Sequence, residues 1–261
     1  MSFAKNLLHR FIRRNGLGSY RYRYDRGLVT RPNYAYLVFQ AAQQAARLRL
    51  PRVSVVEFGV AGGSGLVCLE EHAAEVERIF PVRIEIYGFD TGAGLPPPAD
   101  YRDLPYHWQA GFFKMDVAAL EKKLTRAKLV FGDVAQTMHS FFDKYDPAPV
   151  GAVSHDMDYY SSTMAALKLF DADPKRLLPR VVCYFDDIIG NDMELYNDFI
   201  GQRLAIHQFN AEHAEVKLSP IYYLTCRQPT VFWHHQMFSA HFFRHPLYSQ
   251  FISDPNQQLP V

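Results

Sequence analysis

The chain has 261 residues, 48% of them hydrophobic and 21% charged, a balance that suits a globular protein with one large α/β core. A formal net charge of +1 gives no overall basic field to hold nucleic acid, and no apolar run reaches the roughly 18 residues of a membrane span. Cys68, Cys183 and Cys226 lack metal-type spacing and are expected as free thiols, and with no signal-peptide core a cytoplasmic location is expected.

Charge is uneven along the chain. Residues 1–32 carry eight Lys and Arg side chains against Asp25 alone, a local charge of +7 that leaves −6 for the rest. Within them, "FAKNLLHRFIRR" sets Phe3, Leu7, Leu8 and Phe11 on one helical face. This pattern predicts an amphipathic cap, packed on the domain or on a second copy in a homodimer; a helix lying on a membrane surface is the alternative. "RYRYDRGLVTRP" reads as a loop, and Pro32 opens a helix through "NYAYLVFQAAQQAARLRL". The chain thus divides into a basic extension, residues 1–32, and one domain, residues 33–261.

From there strands and helices alternate. Strands are predicted over 53–58, 84–89, 128–131, 150–155 and 180–185, with helices near 64–78, 116–126, 135–144, 161–170 and 192–212. "VKLSPIYYL" and "TVFWHHQMF" add two strand-like runs, predicting an antiparallel C-terminal pair. The expected fold is a Rossmann-like, doubly wound, mostly parallel seven-stranded sheet.

The first strand runs into "VEFGVAGGSGL". Its glycines, at 59, 62, 63 and 65, match neither the dinucleotide fingerprint nor a phosphate loop, which needs a following Lys-Ser or Lys-Thr. A strand, a glycine turn and a helix start nevertheless present backbone N–H groups to a polar ligand. In such sheets ligands bind beyond the carboxyl ends of the strands. Acids gather at those ends: Glu57 at the end of the first strand, Asp90 after the second, Asp133 beside Gly132 after the third, Asp156 and Asp158 after the fourth, Asp186 and Asp187 after the fifth.

Asp90 has the position of an acceptor for ribose hydroxyls. Asp156, Asp186 and Asp187 would repel one another on neighbouring strand ends unless a cation sat between them, and an all-carboxylate set suits Mg²⁺, Ca²⁺ or Mn²⁺ rather than zinc. His234, His235, His241 and His245 crowd the tail without metal-type spacing, and His155 should face away from Asp156.

"VEFGVAGGSGL", "YGFDTGAGLP", "HDMDYYSSTMAAL" and "YFDD", in this order, resemble the macrocin O-methyltransferase family over roughly residues 53–190. Members are class I methyltransferases using S-adenosylmethionine, many acting on natural-product sugars. The resemblance implies that Glu57, Gly59, Gly63 and Ser64 line the donor's amino-acid end and sugar, that Asp90 meets its ribose hydroxyls, and that Gly132 and Asp133 lie near its adenine. It implies Mg²⁺ on Asp156, Asp186 and Asp187, with Asp156 or Asp158 taking the proton of a hydroxyl on a small-molecule acceptor. The chain departs from the family at "FDTGAGLP", where "FDSFEGLP" is usual, and at "AIHQF", where an acidic pair is common. The alternative reading is an interaction module of the same fold that binds the donor without transferring its methyl group.

Overall fold

β-Branched runs broken by turn glycines give the central sheet. The structure is a computed structural model and describes residues 17–258; the amphipathic segment 3–14 lies outside the described residues. The strands are β1 (Arg52–Phe58), β2 (Arg83–Asp90), β3 (Lys128–Phe131), β4 (Val150–His155), β5 (Leu177–Phe185), β6 (Val216–Pro220) and β7 (Met237–Phe242), in the order β3-β2-β1-β4-β5-β7-β6. Only β7 runs against the others, pairing antiparallel with both β5 and β6. The helices are α1 (Tyr20–Asp25), α2 (Pro32–Arg47), α3 (Ser64–Val76), α4 (Val117–Glu121), α5 (Val134–Tyr145), α6 (Tyr160–Leu167), α7 (Gly201–Glu212) and α8 (Tyr222–Arg227).

Because side chains alternate along a strand, β1 feeds two cores. Val53 and Val55 pack with α2 and α3, while Val56 and Phe58 pack with α5, α6 and α7. A strand buried on both faces must be apolar almost throughout, which is why "VSVVEF" carries no polar alternation. On the second face Phe141 meets Tyr87 and Phe89 edge-on, with ring centroids 5.2 and 4.9 Å away. Truncating such a ring typically costs about 3–5 kcal/mol.

Local chemistry moves several boundaries. Residues 20–25, expected as loop, form α1, because the Ser19 hydroxyl accepts the N–H of Tyr22 and Arg21 pairs with Asp25 one turn on. Tyr24 then stacks on Phe39 at 4.1 Å, and the Tyr20 hydroxyl lies 3.0 Å from His72 Nδ1, so this part of the extension is built into the core. The helix expected over 116–126 shortens to α4, and the one expected over 161–170 ends at Leu167 and continues as a 3₁₀ turn.

The helix expected from 192 begins only at Gly201. Asn191 and Asn197 turn the chain first, each side-chain oxygen accepting a backbone N–H two residues on. The C-terminal pair is real but shifted. The chain leaves β6 at Pro220, residues 222–227 coil into α8, and residues 232–236 form a 3₁₀ turn before β7. His234 and His235, expected within the strand-like run "TVFWHHQMF", therefore sit in a turn instead.

Candidate active site

The carboxyl ends of β1, β2, β4 and β5 open into a cavity of about 780 Å³, within the range of small-molecule sites. Its floor depends on Gly59. This residue has φ +83°, and a Cβ there would lie 1.6 Å from the Asp156 carbonyl oxygen, so only glycine lets the exit of β1 pass against the exit of β4. Asp90 fixes the turn: its Oδ2 accepts the N–H groups of Val60 and Ala61, each at 2.9 Å, and its Oδ1 that of Gly92 at 2.6 Å. Asp90 also lines the cavity, and a carboxylate has about four lone-pair sites, so one stays open to a ligand hydroxyl.

Glu57 is 1% exposed. Its Oε1 accepts the Tyr34 hydroxyl at 2.7 Å, whereas Oε2 is buried without a partner. Burial pushes its pKa up to about 8, against the pull of Tyr34 and Arg31. An orphaned buried carboxylate oxygen on a cavity wall suits a cationic donor group, as the ammonium of S-adenosylmethionine would supply. Ser64 lines the same wall, its Oγ accepting an N–H of Arg31 at 2.8 Å.

Gly63 is different from its neighbours. It caps α3 at φ +77° with its missing side chain facing Leu120, so it shapes the turn from behind and does not line the cavity. Gly132 and Asp133 lie at the far wall, where Asp133 caps α5 by accepting the N–H of Ala135 at 2.8 Å.

At the exits of β4 and β5, oxygens of Asp156, Asp186 and Asp187 all lie within 4.8 Å of one another. Asp187 is held from three sides: Oδ2 accepts the N–H groups of Asp158 (2.8 Å) and Met157 (3.2 Å), and Oδ1 accepts the Tyr196 hydroxyl (3.5 Å). Asp186 accepts the Tyr184 hydroxyl. Burial first, and then the neighbouring carboxylates, push Asp156 and Asp187 well above the usual range. Asp158, in left-handed geometry at φ +62°, is pushed up to about 7 by burial and then by Asp186 and Glu194. Three close oxygen donors that repel one another fit a hard divalent cation.

Asp156, Asp158, Asp186 and Asp187 all line the cavity, and no histidine lines it among the described residues. His155 faces away as expected. It stacks on Phe185 at 4.5 Å with both ring nitrogens unpartnered, and burial drives its pKa down to about 3. Tyr159 and Tyr160 pack outside the cavity, the first donating to the Pro96 carbonyl and the second to Gln208 Oε1. Gln208, where the resembled family is often acidic, is thus bound to Tyr160.

Sequence reasoning missed Arg31, Trp108, Phe113 and Glu194, which also line the cavity. Glu194 was hidden inside an expected helix; the asparagines flanking it were the available signal. The loop after β2 lines the cavity with Thr91, Gly94, Leu95, Pro96 and Pro97 and is pinned by Asp103, which is fully buried and accepts the N–H of Ala99 and both the N–H and hydroxyl of Ser161. Tyr106 then donates to the Glu194 carbonyl at 2.6 Å, joining this loop to the 190–200 segment.

The backbone is similar to solved methyltransferase structures. The calicheamicin methyltransferase CalS11 aligns with a TM-score of 0.51 and 23% identity over 74% of this chain and 78% of that one. The O-methyltransferase NovP aligns with a TM-score of 0.54 and 14% identity over 82% of this chain and 81% of that one. No family model matches the sequence, and no curated protein matches it. The shared feature is the fold: a Rossmann-like sheet of seven strands with helices on both faces.

Proposed function

We propose that this chain is an S-adenosylmethionine-dependent O-methyltransferase of the macrocin type, methylating a hydroxyl on a sugar or natural-product acceptor with the help of Mg²⁺. One observation carries the reading: a single cavity joins the glycine-turn wall, with its unpaired Glu57 oxygen, to the cluster of Asp156, Asp186 and Asp187. The fold shared with CalS11 and NovP supports it. The cavity wall carries eight carboxylic acids, which favours a small acceptor over a polyanionic nucleic acid. Among the described residues no helix is long and apolar enough to cross a membrane, and we place the enzyme in the cytoplasm.

S-adenosylmethionine supplies a methyl group already activated as a sulfonium. Glu57 and Ser64 would hold its amino-acid end, Asp90 its ribose, and Gly132 with Asp133 its adenine. A divalent cation on Asp156, Asp186 and Asp187 would lower the pKa of a nearby hydroxyl and fix its oxygen. Asp158, on the cavity wall beside that cluster, is the base we assign to the hydroxyl proton, with Asp156 as its neighbour. The loop after β2 orients the acceptor and sheds water; alignment of this kind is worth roughly 7–11 kcal/mol at best.

The test is release of S-adenosylhomocysteine from S-adenosylmethionine across a panel of hydroxyl compounds, with chelator and then Mg²⁺ add-back. Turnover that falls on chelation and returns with Mg²⁺ is expected. Full turnover in chelator would remove the cation from the mechanism, and donor binding with no transfer to any hydroxyl class would leave a binding module.

A further inference from the structure

Two carboxylates of the cluster accept a tyrosine hydroxyl, and the two tyrosines stand on different supports. Tyr184, which donates to Asp186, is a buried residue of β5. Tyr196, whose hydroxyl lies 3.5 Å from Asp187 Oδ1, belongs to the turn-rich segment between β5 and α7. We propose that Tyr196 is a positioning residue that links the cluster to the cavity wall formed by Trp108 and Glu194, so that a divalent cation on Asp187 fixes where those two side chains stand. This rests on the cation assigned above, and Tyr196, Trp108 and Glu194 all lie outside the four resembling motifs.

The oxygens of Asp187 divide the work. Oδ2 accepts the N–H groups of Asp158 and Met157, which use both of its lone pairs. Oδ1 is then the oxygen left for a cation, and it is the same oxygen that takes the Tyr196 hydroxyl. A hydrogen bond to a ligating carboxylate orients it and is oriented by it. On its other side the Tyr196 hydroxyl faces the Trp108 indole N–H, which is buried and makes no hydrogen bond of ordinary length among the described residues. A phenol both donates and accepts, so Trp108 N–H, Tyr196 O–H and Asp187 Oδ1 run in one direction as a chain. Its link to Asp187 exceeds the usual O–H···O length of about 2.7–2.8 Å, so the chain has room to shorten.

What Tyr196 does, its neighbours follow. Two residues before it, the Glu194 carbonyl accepts the Tyr106 hydroxyl at 2.6 Å, and Glu194 Oε1 lies 3.6 Å from His107 Nε2. Tyr106, His107 and Trp108 on one side, with Glu194 and Tyr196 on the other, thus clasp the loop after β2 to the segment after β5. Met193 and Leu195 are exposed, so few apolar contacts hold that segment and its polar bonds decide its place. Tyr184, fixed within the sheet, has no such freedom. A merely structural Tyr196 would hold the clasp in one place whatever the cluster binds.

Trp108 and Trp233 are the two tryptophans of the chain, and Trp233 packs on Tyr36 outside the cavity lining. Trp233→Phe in the full chain therefore leaves Trp108 as the indole reporter. Mg²⁺ added to this protein after chelator treatment should shift Trp108 fluorescence saturably, in step with the calorimetric binding curve. Adding Tyr196→Phe should keep Mg²⁺ binding within about tenfold, the lower end of the usual effect of such a partner, and remove most of the fluorescence response. Tyr184→Phe, which takes the same hydroxyl from Asp186, should weaken Mg²⁺ comparably and keep the full response at saturation. Proteolysis at Met193–Leu195 should slow several-fold with Mg²⁺ in the wild-type chain and not in Tyr196→Phe, and this comparison stands should Trp233→Phe fail to fold. A full Trp108 response in Tyr196→Phe, or neither response nor protection in protein that binds Mg²⁺ by calorimetry, would overturn the role of Tyr196 while leaving the cation in place. A wild-type chain that gives no saturable Mg²⁺ heat would overturn the cation assignment itself, and this inference with it.

Discussion

Asp187 accepts the backbone N–H of Asp158 at 2.8 Å, so the end of β5 holds the exit of β4 in its left-handed turn. One carboxylate thus serves the backbone and the cluster of Asp156, Asp186 and Asp187, where we propose the cation binds. Asp187→Asn keeps an acceptor oxygen but removes a ligand charge. It should lower Mg²⁺ affinity at least tenfold, about 1.4 kcal/mol, and shift S-adenosylhomocysteine affinity less than threefold by calorimetry. Asp187→Ala also frees the turn and should lose a further 1–3 kcal/mol of stability, roughly the cost of orphaned buried donors. Unchanged Mg²⁺ affinity in both variants would take the cation away from this cluster.

Gly59 and Gly62 lie three residues apart in one turn, yet they should respond in opposite ways. A Cβ at Gly59 lands on the Asp156 carbonyl, whereas nothing lies within 4 Å of one at Gly62. Gly59→Ala should lower the melting temperature strongly, by about 2–4 kcal/mol in stability, because strain at positive φ adds to the clash. Gly62→Ala should stay within about 0.5 kcal/mol. Similar melting temperatures for the two variants would show that β1 and β4 are not so closely apposed.

The architecture could be read from the chain because its signals are local. The apolar run of β1, the glycine turn and the acids at strand ends each follow from residues close in sequence, and all reappear where the spacing put them. Arg31 and Glu194 could not be read in this way. Arg31 reaches the cavity only through a left-handed cap and a contact with Ser64, 33 residues away. Glu194 arrives on a turn that composition had disguised as helix. Pro220 ending β6, and the shift of the second run to β7, likewise depended on pairing that only the folded sheet supplies.

Asp103 is a lever on the loop after β2. Its three hydrogen bonds join Ala99 to Ser161, so Asp103→Ala should release the segment between β2 and α4 from α6. Limited proteolysis should then cut residues 91–116 several times faster than in wild type, while S-adenosylhomocysteine still binds. Equal cleavage rates would mean that the loop is held by Tyr106 and Tyr159 instead.

His155 sets a pH dependence of stability. Its folded-state pKa near 3 lies below the ordinary value of 6.5, so below pH 6.5 the unfolded chain takes up a proton that the folded chain refuses. The share of stability that His155 governs is therefore fully present above about pH 6.5 and is lost as the pH drops toward 3. His155→Leu removes both unpartnered nitrogens and should be at least as stable as wild type at pH 7. Its advantage should widen on acidification by up to about 1.4 kcal/mol per pH unit. Parallel denaturant midpoints for the two proteins from pH 7 to pH 4 would contradict this.

Every role assigned to the cavity depends on its holding the methyl donor at the glycine turn. Calorimetric titration of the wild-type chain with S-adenosylhomocysteine, repeated in the presence of excess S-adenosylmethionine, tests that most directly. One site per chain is expected, with the first ligand displaced by the second. Absence of saturable heat for either ligand, or binding that survives Glu57→Gln and Gly59→Ala unchanged, would contradict it.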